Sequence, residues 1–337
     1  MTHLKHIVLS NMVLNGFEYG VLRDFEDEIL RLTHGQRAIL PDRKLPKALL
    51  RRMAHGTRYE ALRSFIPKEN YDLRADVLWY VLMSPNNYSL DLFQGWDQHV
   101  GLKVLYLFDT FESLSPLIRK IVDDVDWDIL ITSFHGAIPF LEEVTQKKWY
   151  AIPQGVKLDR FSPISDAERL INFSAYGRRE PKVHASVRKH CADRQKYYDY
   201  SMTTSLQPQI EPQESYSQYV WHLAHSVFTF CWSVESTSPG RATTFSPITC
   251  RWFEAAASGT VMLGEPPSDP VFEQLFGKDS VIQIDRHVSF DELDALWDML
   301  WDKHQSYLNA ASERRLRLSQ QWTWERRVLD IIKLIQA

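Results

Sequence analysis

Cysteine is scarce in this chain. The 337 residues hold three, Cys191, Cys231 and Cys250. An odd number without metal-ligand spacing argues against a disulfide framework or a zinc site and for a reducing compartment, the cytoplasm. Long apolar runs are also lacking, so no stretch is read as spanning a bilayer. The opening Met1-Thr-His-Leu-Lys-His-Ile-Val-Leu-Ser10 is too short an apolar run for a secretion signal and predicts a first β-strand. Neither sign of charge dominates: 39 basic residues meet 43 acidic ones, for a formal net charge of −4. Nothing global therefore calls for a nucleic-acid partner, and any anion site must be local. Repeats and low-complexity tracts are missing as well.

What is present is a globular balance, 44% hydrophobic and 24% charged, in a chain long enough for two α/β domains. Short apolar runs at 6–10, 77–83, 103–108, 129–132 and 149–152 read as strands. They alternate with helical patterns such as 21–33 and 116–125, the signature of parallel α/β construction. A polar passage over 157–168 reads as a linker. The pattern then restarts with strands at 170–175, 227–231 and 261–263. Helices are expected at 181–192, 251–257, 291–301 and 308–319, and in the tail after Trp322. Segments 201–215 and 235–248, rich in Ser, Thr, Gln and Pro, read as loops.

Two segments of the second half carry chemistry. Tyr176-Gly-Arg-Arg-Glu-Pro-Lys182 follows a strand and precedes a helix. Gly177 permits a tight turn, while Arg178, Arg179 and Lys182 lie where the carboxyl end of a strand presents them to an anionic ligand. An arginine fork suits phosphate oxygens, although the same cluster also suits a solvated helix end. In the second segment, 246–264, an Ala-rich helix follows a Ser/Thr/Pro loop. Its amino end offers unpaired N–H groups to phosphate, and Glu254 stands one turn in, where a carboxylate accepts ribose hydroxyls. The same residues also fit a plain helix, with Glu254 complementing the dipole and Arg251 in a surface ion pair.

The order of four motifs resembles a known family. Phe253-Glu-Ala-Ala-Ala-Ser-Gly-Thr260 is similar to the Glu-Ala-x-Ala-x-Gly-Thr stretch of retaining, family-4-type glycosyltransferases (glycosyl transferases group 1), and within them of the CgeB-like branch. Ala151-Ile-Pro-Gln-Gly-Val-Lys-Leu-Asp-Arg-Phe-Ser-Pro163 resembles their Ile-Pro-Asn-Gly-Val-Asp-x-x-x-Phe-x-Pro junction. Tyr176-Gly-Arg178 through Lys182 resembles their Gly-Arg…Lys phosphate clamp, and Gln321-Trp-Thr-Trp-Glu-Arg326 their aromatic-Ser-Trp-Glu tail. The resemblance covers nearly the whole chain.

It implies an α/β, GT-B fold: two Rossmann-like domains facing a cleft, with the C-terminal helix crossing back to the first. The expected divisions are 1–156 on the acceptor side, 165–320 for the nucleotide-sugar, and 321–337 for that helix. It further implies transfer of a sugar from a nucleotide-diphosphate sugar to an acceptor hydroxyl, in glycan or glycoconjugate biosynthesis. Arg178 and Lys182, with Arg179 as alternate, would hold the donor diphosphate together with Thr249 and Arg251, and Glu254 the ribose. No Asp-x-Asp pair is placed to hold a metal, so neither a metal nor a separate cofactor is expected.

Two departures stand out. Where the family has a second glutamate, eight residues before Glu254, this chain has Ser246, and the nearest upstream carboxylate is Glu235. Where the family has His-Asp after a first-domain strand, this chain has Phe108 and Asp109. Asp109 then becomes the candidate catalytic group, as general base or sugar-positioning carboxylate, against an alternative as N-cap of the turn 110–114. A non-catalytic nucleotide-sugar or glycan binder, or a sugar-nucleotide epimerase, are the other readings the departures leave open.

Acceptor-side candidates are Glu18 and Tyr19, in a glycine-containing loop without a dinucleotide fingerprint, and His135 on a strand-to-helix turn. The basic stretch 43–53, with Arg58 and Arg63, suits either a solvated helix face or contact with anionic lipid or a lipid-linked acceptor at the membrane's inner face.

Overall fold

A computed structural model describes residues 4–10, 18–40, 67–201, 212–238, 240–241 and 244–336. The chain divides into two compact units, one of 1–15, 25–152 and 328–337, the other of 16–24 and 153–327.

The first unit holds a six-stranded sheet of β1 (His6–Ser10), β2 (Gln36–Ile39), β3 (Arg74–Leu82), β4 (His99–Leu107), β5 (Ile129–Thr132) and β6 (Tyr150–Ala151). Their order is β2-β1-β3-β4-β5-β6, with every pairing parallel. Parallel strands covered on both faces need continuous apolar runs. Accordingly, all of Val77–Leu82 is buried, as is the whole of β5. Helices α1 (Glu18–Thr33), α2 (Ser115–Asp124) and α3 (Ile138–Thr145) cover it. In α1 the buried residues Val21, Leu22, Phe25 and Ile29 recur at helical spacing, and Arg31 in the last turn complements the dipole.

The second unit repeats the plan with β7 (Ile171–Tyr176), α4 (Pro181–Asp193), β8 (Tyr198–Ser201), α5 (Pro212–Ala224), β9 (Ser226–Trp232), α6 (Cys250–Ala257), β10 (Val261–Glu265), α7 (Val271–Phe276), β11 (Val281–Gln283), α8 (Phe290–Asp302) and α9 (His304–Leu318). The sheet is parallel throughout, in the order β8-β7-β9-β10-β11. Its core stacks Phe173 on Phe228, ring centroids 5.1 Å apart, under the edge of Trp297 from α8. Helix α8 starts at a capping box: Ser289 Oγ accepts from the Glu292 N–H at 3.2 Å, and the Glu292 carboxylate accepts from the Ser289 N–H at 2.7 Å.

The last helix, α10 (Trp324–Gln336), begins where the tail meets the 153–156 passage. The Val156 N–H donates to Trp322 O at 2.7 Å and the Trp324 N–H to Val156 O at 3.3 Å. A Cβ on Gly155 would meet Trp324 at 2.9 Å, so only glycine allows this approach. Two sequence motifs far apart in the chain are thus one structural joint. Among the described residues no helix is long and apolar enough to cross a membrane.

Candidate functional site

In an open parallel sheet, ligands bind beyond the carboxyl ends of the strands where the strand order reverses. In the second unit the reversal lies between β7 and β9. The chain leaves β7 through Tyr176 into Gly177, whose φ of +71° is the left-handed conformation that favours glycine. Arg178 follows at once, half-buried. Beside β7, β9 ends at Cys231 and Trp232, and α6 starts with Thr249 as N-cap. Burial pushes the Cys231 thiol up to about 12, against the opposing charges of Arg251 and Arg178, while Glu254 acts with the burial. One strand end therefore feels both arginines and the glutamate.

Glu254 is buried, 2% exposed. Its Oε2 accepts from the Tyr219 hydroxyl at 2.7 Å, while Oε1 is enclosed without a partner. Burial lifts its pKa to about 7, although the Tyr219 hydrogen bond and the charge of Arg251 pull the other way. On Arg251, Nε and Nη1 are likewise enclosed without hydrogen-bond partners. Among the described residues no ion pair is seen for Arg251, and Glu254 is an interior carboxyl rather than a surface one. Thr249 has extended backbone and its hydroxyl makes no capping bond. Enclosed donors and an enclosed acceptor left unmatched one turn apart on a helix are what a site for a polar, anionic ligand requires.

Lys182 is turned to the loop ahead of α8, where its ammonium donates to the carbonyls of His287, at 3.4 Å, and Val288. Arg179 is exposed, its guanidinium 4.9 Å from the centre of the Tyr200 ring and 3.2 Å from His184 Nε2.

Glu235, the nearest carboxylate upstream of Ser246 in the sequence but set apart from it by a Ser/Thr-rich loop, lies against it: the Ser246 hydroxyl donates to Glu235 Oε1 and accepts from the Ser268 N–H at 2.9 Å. A single helical turn, Val234–Thr237, capped by Ser233 directly after β9, swings the carboxylate to that place. Its Oε2 is buried and has no partner. The only sequence signal was a Ser-x-Glu-Ser pattern at a strand end.

In the first unit Asp109 follows β4 half-buried, its N–H donating to Met83 O at 3.0 Å. The short turn Glu112–Leu114 that follows has Phe111 at its N-cap position. Phe108 is fully buried against Phe25 and Tyr106, a core side chain. His135 is exposed at the first position of a short 3-10 turn after β5. Glu18 and Tyr19 open α1, with their side chains outside the described residues, as is the basic stretch 43–53 with Arg58 and Arg63.

Among the described residues, His190, Asp294 and Asp298 have the spacing to hold a metal ion. Arg194 already bridges both carboxylates, at 2.9 and 2.5 Å, and the four side chains tie α4 to α8.

Residues 168–333 match the sequence model of the glycosyl transferase-like family. The fold is similar over 99% of the chain to a glycosyltransferase from Rickettsia africae ESF-5, with 98% of that chain covered, a TM-score of 0.52 and 10% identity. AviGT4, a glycosyltransferase involved in avilamycin A biosynthesis, aligns over 98% of this chain and 96% of its own, with a TM-score of 0.49 and 12% identity. A comparison with curated proteins finds no match. Residues 168–333 are thus a glycosyl transferase-like region, and the chain has the α/β fold with two parallel sheets found in GT-B glycosyltransferases.

Proposed function

We propose that the reversal point of the second sheet binds the diphosphate and ribose of a nucleotide-diphosphate sugar. Glu254 Oε1 accepts the ribose hydroxyls. Arg251, Arg178, the Thr249 hydroxyl and the amino end of α6 hold the diphosphate. Lys182 joins them by exchanging the Val288 carbonyl for a phosphate oxygen. Glu235, with Ser246, faces the hydroxyls of the donor sugar.

Transfer breaks the bond between the anomeric carbon and the leaving phosphate oxygen and forms one to an acceptor hydroxyl oxygen. Negative charge builds on the departing diphosphate, so the fixed arginines contribute most in the transition state. Asp109 takes the acceptor's proton or orients the reacting sugar, with Glu18, Tyr19 and His135 on the acceptor side. The acceptor is a sugar, a lipid-linked or another small hydroxyl compound.

The observation that carries this reading is the set of enclosed, unmatched atoms on one helix: Arg251 Nε and Nη1 and, a turn later, Glu254 Oε1. Thermal denaturation with UDP, GDP, ADP, CDP and dTDP tests it. At least one diphosphate should raise the melting temperature of the native protein, and Arg251→Met should weaken its binding about a hundredfold. No shift with any of them at millimolar concentration sinks the reading.

A further inference from the structure

Behind Glu254 runs a series of buried polar contacts that ends on the first helix. The Tyr219 hydroxyl that donates to Glu254 Oε2 belongs to a ring buried on α5. The edge of that ring meets Tyr176 at the end of β7, centroids 4.9 Å apart. One turn earlier on α5, Tyr216 lies 6.4 Å from it with planes 29° apart, and Phe161 packs edge-on against both. The Tyr216 hydroxyl donates to Asp24 Oδ2 at 3.2 Å, and Arg160 holds Asp24 Oδ1 at 2.7 Å while lying 5.3 Å from the centre of the Tyr216 ring. On its far side Tyr216 is pressed against Gly20 so closely that a Cβ there would stand 2.3 Å from the ring. Gly20 and Asp24 come from α1, early in the chain, yet group with the second unit.

Both rings are buried, Tyr219 among Tyr176, Tyr216 and Phe161, and Tyr216 among Tyr219, Phe161 and Gly20. With Oε2 held by the Tyr219 hydroxyl, Oε1 is the oxygen left to a ligand. We infer that Tyr219, braced through Tyr216 by Asp24 and Gly20, is the positioning residue that presents Glu254 Oε1 to the nucleotide ribose. The inference rests on the donor-site reading above.

Six titratable or charged groups face Glu254, and they give the test its signs. Tyr219 and Tyr216 lie on α5, Arg251 and Cys250 on α6, Cys231 on β9 and Asp24 on α1. The Tyr219 and Cys250 hydrogen bonds and the charge of Arg251 favour the carboxylate; burial and Asp24 oppose it. A ribose hydroxyl donates to the ionised form, so diphosphate affinity rises as Glu254 gives up its proton. Tyr219→Phe removes a stabilising donor and moves that rise to higher pH. Asp24→Asn removes an opposing charge and moves it to lower pH. Side chains that only packed would not shift the curve in opposite directions.

The experiment is calorimetric titration of the full chain with UDP, GDP, ADP, CDP and dTDP between about pH 5.5 and 8.5. It compares wild type with Tyr219→Phe, Tyr216→Phe, Asp24→Asn and Glu254→Gln, each checked for folding by thermal denaturation. Titration of the nucleotide's own phosphate is common to all five proteins and cancels in the comparison. Tyr219→Phe should bind about tenfold more weakly at neutral pH, with its rise displaced upward, and Tyr216→Phe should follow it part of the way. Asp24→Asn should be displaced downward, and Glu254→Gln should lose the rise. If Tyr219→Phe binds as wild type at every pH, the positioning role is wrong while the donor site stands. If no diphosphate binds wild type, or Glu254→Gln is without effect, the donor-site reading itself has failed.

Discussion

Asp109 and Glu235 are two carboxylates with separable expectations. Asp109→Asn should lower turnover by about a hundredfold or more while leaving nucleoside diphosphate affinity unchanged, since a general base acts on the acceptor and not on the donor diphosphate. Single-turnover transfer alongside diphosphate titration checks this, and equal loss of both would assign Asp109 to folding. Glu235→Gln should weaken binding of the sugar-bearing donor about tenfold and leave the bare diphosphate untouched. Parallel titrations with the two ligands make the distinction. The family motifs made Glu254 legible in the sequence, because a helical Glu-Ala-x-Ala-x-Gly-Thr stretch is local. Glu235 was not legible: its partner Ser246 comes to it only through the capped turn after β9, and no spacing rule encodes that path.

At the scale of elements, the strands that sequence reading found are the buried ones and the half-buried edge strand β6. The runs at 77–83, 129–132 and 227–231 are apolar but for Thr132 and Thr229, because both faces of a central parallel strand are covered. Strands β2, β8 and β11 went unread; all three are sheet edges, and β2 and β11 carry exposed or half-buried residues that break the apolar pattern. The joint at the foot of the second sheet was equally hidden. Arg169 is buried and donates to four backbone carbonyls, of Ala224 at 2.9 Å, Ser226 at 2.5 Å, Ser258 at 3.0 Å and Gly259 at 3.3 Å, pinning the ends of α5 and α6 to the start of β9. Arg169→Met strands those acceptors without donors and should cost about 3 kcal/mol in chemical denaturation, while lysine, lacking the fork, should recover little. Gly177→Ala forces a side chain into a left-handed backbone; it should cost about 1–2 kcal/mol and, by displacing Arg178, also weaken diphosphate binding.

For the molecule as a whole, pH joins stability to function. Glu254 in the second unit and Glu26 in the first are both buried carboxyls lifted to about 7 by desolvation. Glu26 accepts from Ser10 Oγ at 2.8 Å and Arg37 Nε at 3.1 Å. The folded protein keeps these protons to higher pH than the unfolded chain, so their contribution is fully present below the ordinary carboxylate value of 4.5 and is lost as pH rises from there through about 7. The melting temperature should therefore be lower near pH 8 than near pH 5.5 by several degrees, each carboxyl contributing on the order of 2 kcal/mol. Replacing both with glutamine should flatten the slope. The sequence by itself determined the two parallel α/β halves, the turn that carries Arg178 and the helix that carries Glu254, because apolar periodicity, glycine turns and local motifs act between neighbours in the chain. Only the tertiary structure decided that Tyr219 holds Glu254, that Glu235 meets Ser246, that Lys182 rests on Val288, and that Gly20 and Asp24 pack with the second unit. Those contacts join residues far apart in sequence, and their energies exist only once the sheet has brought the strand ends together.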